Sequence, residues 1–197
     1  MDNLYKFYLV SSNECPKQKN MNIIITILLC ITALIAIFLI VALFIKKEYT
    51  IVREIIINKS NQTVFNYVKY LKNQDYYSKW VMTDSSMKKD FTGTDGTVGF
   101  AYAWDSKNKN AGKGEQEIMK IINGEIIDIE VRFEKPFAGI ARTPIKTESL
   151  TESQTKVIWG MEGKSKYPMN LMNPFMNNLL GKDLQISLVN LKTILEK

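Results

Sequence analysis

The chain contains no histidine, and its two cysteines, Cys15 and Cys30, both precede the long stretch that reads as a soluble domain. Without imidazole there is no Ser-His-Asp or Cys-His nucleophile system, and without His or Cys donors in the domain the common zinc sites are excluded too. No metal and no cofactor is expected. The same count excludes a disulfide within the domain and suits either side of a membrane. No phosphate-binding or dinucleotide-binding glycine fingerprint occurs. Lysine and arginine are nowhere gathered into a block, so the formal net charge of +6 makes no nucleic-acid footprint. It fits a solvated surface, with some attraction to anionic headgroups.

What is present is one long apolar run, Ile23 to Ile45, broken only by Thr26 and Thr32 and closed by Lys46-Lys47. As a helix rising about 1.5 Å per residue it reaches roughly 34 Å, enough for a hydrocarbon core of about 30 Å. It has no polar face to turn to water, which argues against a helix of a globular core. A cleaved leader needs a shorter apolar core of about 7 to 15 residues and a small-x-small site after it, and neither is found. A retained, single-pass anchor is the expectation. Lys17 and Lys19 precede the span, while Lys46, Lys47, Arg53 and Lys59 follow it, a slight lean toward a cytoplasmic domain. Met21 is an alternative start that would remove the competing lysines. The expected organisation is a tail over 1–20, an anchor over 21–46 and one domain over 47–197, of a size that buries a single core.

Within the domain, Tyr49 to Asn58 reads as a strand of β-branched residues, followed by a helix capped at Ser60 or Asn61 that carries Val64, Phe65, Val68 and Leu71. A short second turn is expected over Asp75 to Trp80. From Met87 the period changes to two, with turn signals at 93–96, 107–112, 123–124 and 152–154. In Ile126 to Lys135 the residues Ile127, Ile129, Val131 and Phe133 alternate with Asp128, Glu130, Arg132 and Glu134, which gives one buried and one wet face. By the same logic Phe100, Tyr102 and Trp104 share a face, as do Val157, Trp159 and Met161. Gly114 to Ile122 fits two registers, one turning Ile118 and Ile122 inward and the other Glu117, Met119 and Ile121. After Pro168 a helical stripe of Leu179, Leu180, Leu184, Leu188, Leu191 and Leu195 runs nearly to the C-terminus, started by Asn173-Pro174, with Gly181 as an expected bend.

Ile55-Ile56-Ile57-Asn58 ahead of Val64-Phe65-Asn66-Tyr67-Val68, then Asp75 to Trp80, resembles the opening of the START-like polyketide cyclase and lipid-transfer superfamily (SRPBCC). Trp104-Asp105-Ser106 leading through Gly112 to Gly114–Ile118, then Lys135-Pro136-Phe137, Lys156–Trp159 and Leu191-Lys192, are similar to that superfamily's strand and helix signatures. The resemblance covers residues 49 to 197. It implies an α+β helix-grip fold, a curved antiparallel sheet of about seven strands around a long C-terminal helix, enclosing a cavity for a lipid or other apolar ligand. Some members are enzymes, and many only bind. Function has to be argued from the site.

On that fold Trp80, Phe100, Tyr102, Trp104, Phe133, Trp159 and Met161 would line the concave face, with Met169, Met172 and Met176 near the start of the closing helix. Methionine adapts to irregular shapes, and tyrosine and tryptophan add directional hydrogen bonds. The competing reading is that these residues only fill the core. Glu117 is the best candidate for a buried carboxylate, since one register turns it inward, where burial would raise its pKa toward that of a general base, with Tyr102 as proton donor; the competing reading is a rim or surface glutamate. Three functions stay open. They are a tethered binder of an apolar small molecule or lipid, a cyclase or dehydratase-like enzyme using Glu117 and Tyr102, and a domain docking a protein partner, as the superfamily's heat-shock ATPase activator branch does.

Overall fold

A computed structural model describes residues 16–197, so most of the expected N-terminal tail lies outside the described residues. The chain divides into two compact units, meeting between Phe44 and Ile45. In the first, helix α1 (Pro16–Phe44) contains a stretch, Met21–Phe44, long and apolar enough to cross a membrane. Its two hydroxyls are satisfied within the helix. Thr26 Oγ1 donates to the Asn22 carbonyl and Thr32 Oγ1 to the Leu28 carbonyl, each at 2.8 Å, so neither would carry an unpaired polar group into lipid.

The second unit opens with β1 (Glu48–Ile57), in which Ile51 and Ile57 are buried while Val52 and Ile56 face out. Helix α2 (Asn61–Val68) follows, its first turn capped by Ser60 Oγ accepting from the Thr63 amide. The apolar spacing predicts that this helix continues to Leu71. It stops at Val68 instead, and a 3-10 turn (Leu71–Asn73) takes over because Asp95 reaches across, its two carboxylate oxygens accepting from the Leu71 and Lys72 amides at 2.8 and 3.2 Å. Helix α3 (Gln74–Tyr77) and a second 3-10 turn (Val81–Thr83) complete this connection.

Seven further strands follow: β2 (Lys88–Thr92), β3 (Ala101–Asp105), β4 (Lys113–Ile122), β5 (Ile126–Lys135), β6 (Gly139–Arg142), β7 (Ile145–Thr151) and β8 (Gln154–Lys164). They form one antiparallel eight-stranded sheet in the order β1-β8-β6-β5-β4-β3-β2, with β7 pairing β5 and β8. The eighth strand, beyond the expected seven or so, arises at Pro144. Proline has no amide to give the ladder, so β6 and β7 are separated there, while the Pro144 carbonyl still accepts from Gly160 at 2.9 Å.

The ambiguity in β4 is resolved by a bulge between Ile118 and Lys120. Before it Gly114, Gln116 and Ile118 face the core. After it Ile121 packs against the core, while Met119 and Ile122 are exposed. Each sequence register is right for half the strand.

Helix α4 (Asn173–Leu195) closes the fold, packing chiefly on β1. Leu184, Leu188 and Leu191 are fully buried, and Leu180 and Leu195 pack beside them. Leu179 is a correction to the expected stripe, standing exposed one residue off the buried line. Gly181 also differs from expectation. The helix runs through it unbroken, and a Cβ at this position would overlap the Arg53 guanidinium. Arg53 crosses here from the inner face of β1, its Nη2 donating to the Asn177 carbonyl at 3.0 Å.

Candidate functional site

Between the concave face of the sheet and α4 lies a cavity of about 210 Å³. Its walls follow from strand alternation. β3 brings Tyr102 and Trp104, β5 brings Val131 and Phe133, and β8 brings Trp159 and Met161. The segment around α3 supplies Gln74, Ser78 and Trp80, and α4 contributes Leu180. All three tryptophans of the chain are therefore cavity residues.

The aromatic rings support one another edge to face. Trp80 and Trp159 meet at 6.3 Å and 88°, Trp104 and Phe133 at 6.2 Å and 81°, and Tyr102 and Trp104 at 6.3 Å and 71°. Trp104 has room because its cross-strand partner is Gly114, where a Cβ would stand 2.8 Å from the indole ring. Trp104 Nε1 donates to the Ala111 carbonyl at 2.9 Å, which fixes the loop after β3 at the cavity mouth. The same loop is held from the other side by Asp84, whose carboxylate accepts from the Ser106 and Ser86 hydroxyls. Those bonds hold its pKa below the usual carboxylate value. Asn110, Lys135 and Pro136 complete the exposed rim.

The polar content of the interior is neutral. Gln74 and Gln116 are buried and paired, Gln116 Nε2 donating to Gln74 Oε1 at 3.0 Å. Burial, assisted by the nearby charge of Asp75, pushes the Tyr102 phenol well above its ordinary pKa, so it stays protonated. Among the described residues its hydroxyl meets only the Met87 sulfur, at 3.9 Å. Behind this layer Tyr77 is wholly buried against Trp159, with ring centroids 5.8 Å apart and no hydrogen-bond partner for its hydroxyl among the described residues.

Of the residues singled out from the sequence, Trp80, Tyr102, Trp104, Phe133, Trp159 and Met161 line this cavity. Phe100 does not. It lies on the same face of the sheet but stacks on Phe91 at 6.2 Å within the core. Met169 and Met172 are exposed, and Met176 packs against the core without reaching the cavity.

Glu117 is on the opposite, convex face, because the inward phase of β4 falls on Gln116. There Arg132 Nη2 bonds Glu117 and Glu115, each at 2.5 Å, and Nη1 bonds Glu130 at 2.7 Å. The proposed pairing of Glu117 with Tyr102 is not assembled. Asp128 also departs from the wet-face expectation, being buried in an ion pair with Arg142.

Sequence reasoning missed Gln74, Gln116, Ser78, Met87, Thr143 and Tyr49 as cavity residues. The available signal was Gly114 opposite an aromatic strand, which puts Gln116 on the same face two residues on. Among the described residues no cluster of His, Cys, Asp or Glu is suited to a metal ion.

No family model matches the sequence, and no curated protein matches it. Solved structures do. Truncated norcoclaurine synthase from Thalictrum flavum superposes with a TM-score of 0.58 at 10% identity, covering 75% of this chain and 92% of that one. The same synthase has been solved in complex with dopamine and hydroxybenzaldehyde. The Aha1 dimer structure from Colwellia psychrerythraea gives 0.51 at 17% identity, over 75% of this chain and 96% of that one. Ara h 8.0201 gives 0.54 at 12% identity, over 75% and 97%. At these identities the likeness shows the fold alone, and the fold is the helix-grip fold of START-like and Bet v1-like proteins.

Proposed function

We propose that this protein is a membrane-tethered binding module that holds one small apolar molecule between its sheet and α4, without catalysing a reaction on it. The observation that carries the reading is the aromatic cavity, walled by Trp80, Tyr102, Trp104, Phe133 and Trp159 and free of ionised groups in its depth. Its size bears on the ligand. A cavity of about 150 Å³ accommodates a benzene ring, so one of about 210 Å³ suits a substituted single ring and not a two-chain lipid. A structural neighbour of this fold, norcoclaurine synthase, has been solved in complex with dopamine and hydroxybenzaldehyde, each a substituted single ring.

Met21–Phe44 is the tether in this reading, and it concentrates the cavity at a bilayer into which apolar molecules partition. Catalysis is disfavoured because the interior offers no carboxylate and its phenol, Tyr102, is held neutral.

Native mass spectrometry of the full chain released from nanodiscs, before and after organic extraction, tests this. One added mass of single-ring size that extraction removes is the expected result. A bound phospholipid, or a chain that carries no mass and takes up no aromatic probe at millimolar concentration, would overturn it.

A further inference from the structure

The cavity has one polar edge, and it is left half-used. Gln74 is 4% exposed and Gln116 7% exposed, and the bond from Gln116 Nε2 to Gln74 Oε1 occupies one end of each amide. The other ends, Gln116 Oε1 and Gln74 Nε2, make no hydrogen bond to any described residue, although both side chains line the cavity. One is an acceptor and the other a donor. Exchanging oxygen and nitrogen in both amides leaves that balance unchanged, so it does not depend on how they are assigned.

The other groups that line the depth of the cavity are also neutral, and Asp75, whose charge acts on Tyr102 from behind the lining, is paired with Lys89 at 2.8 Å. Ser78 and Thr143 are buried, the Trp159 indole N–H is buried without a partner, and the one lysine among the lining residues, Lys135, sits at the exposed mouth. An ionised ligand would find no counter-charge in the interior and would lose its hydration on entry.

We infer that the Gln74–Gln116 pair selects a neutral single-ring ligand carrying a hydroxyl or amide edge, such as a phenol or a lactam. The ligand donates to one glutamine and accepts from the other. This rests on the cavity being a ligand site, and it adds the chemistry of what enters.

Isothermal titration calorimetry of the full chain in nanodiscs, with empty nanodiscs subtracted, tests it using toluene, p-cresol, benzoate and benzylamine at neutral pH. In the wild type p-cresol should bind about tenfold more tightly than toluene, the worth of a satisfied buried amide end, and both ionised probes should bind more weakly than toluene. The double variant Gln74→Met/Gln116→Met keeps both side-chain lengths and should remove the p-cresol advantage while toluene still binds, which shows the cavity intact. Toluene matching p-cresol in the wild type, an ionised probe matching p-cresol, or an advantage that survives both substitutions would overturn the polar-edge inference and leave the cavity reading standing. Failure of all four probes would overturn both.

Discussion

Replacing Tyr77 by phenylalanine isolates one buried hydroxyl whose energetics follow from its surroundings. Tyr77 is wholly buried, and burial is the main reason its pKa is raised far above the ordinary tyrosine value, with smaller contributions from Tyr67 and Asp95. In the unfolded chain the same phenol ionises at about pH 10. Because the folded pKa is the higher one, the stabilisation is complete below the unfolded value and is lost as pH rises beyond it toward the folded value.

Each pH unit in that window costs about 1.4 kcal/mol, so between about pH 10 and about pH 11.5 Tyr77 alone removes about 2 kcal/mol. That is a large share of a typical net stability of about 5–15 kcal/mol. Tyr102, Lys113, Lys156 and Lys164 have raised values too and act in the same direction, so the wild-type slope is steeper than one group explains. The difference between wild type and Tyr77→Phe belongs to Tyr77.

At neutral pH the substitution removes a buried hydroxyl that has no partner while keeping the ring against Trp159, and should raise stability by about 1 kcal/mol. Urea titrations at stepped pH, followed by near-ultraviolet circular dichroism of the aromatic core, measure both quantities. Parallel pH slopes for the two proteins, or a variant less stable at neutral pH, would refute the argument.

Gly112→Ala should cost about 2 kcal/mol or more in the same titration, since Gly112 has φ +64° and a Cβ there would overlap the Lys135 carbonyl oxygen. Arg132→Ala leaves Glu115, Glu117 and Glu130 facing one another on the convex face. A loss of about 1 kcal/mol is expected, shrinking in high salt, as urea melts at two ionic strengths would show. Leu184→Ala empties a fully buried position under the sheet and should cost about 3 kcal/mol by thermal or urea melting. Glu117→Gln should leave probe binding by calorimetry within about twofold of wild type, because the side chain is on the face away from the cavity.

How much of this was legible depended on whether one rule governed a whole segment. The apolar face of β5 was readable because Ile127, Ile129, Val131 and Phe133 keep a period of two, although Asp128 on the other face is buried in its pairing with Arg142. The aromatic face of β3 was readable for the same reason. β4 was not, because the extra residue at its bulge changes phase in mid-strand, and the change decides whether Gln116 or Glu117 points inward. Gln74 was invisible because a polar residue in an amphipathic pattern reads as solvent-facing until its partner across the cavity is known, whereas Gln116 could have been placed through Gly114. The methionines near α4 were overread. The fold implied by the resemblance put them beside the cavity at the start of the closing helix, but Met172 is exposed and Met176 lies against the core. Gly181 carried the right suspicion of a special position and the wrong cause, a crossing arginine from β1 and not a bend.

The placement of Trp80, Trp104 and Trp159 also has an optical consequence. Every indole in the chain borders the same cavity, and none lies in the apolar N-terminal helix or on the convex face of the sheet. Intrinsic emission excited at the indole band therefore originates wholly from the walls of that space. A quencher small enough to enter should reach all three indoles, and one too large should reach only the part-exposed Trp80 and Trp104 and spare Trp159. The protein carries an unlabelled gauge of what its interior admits.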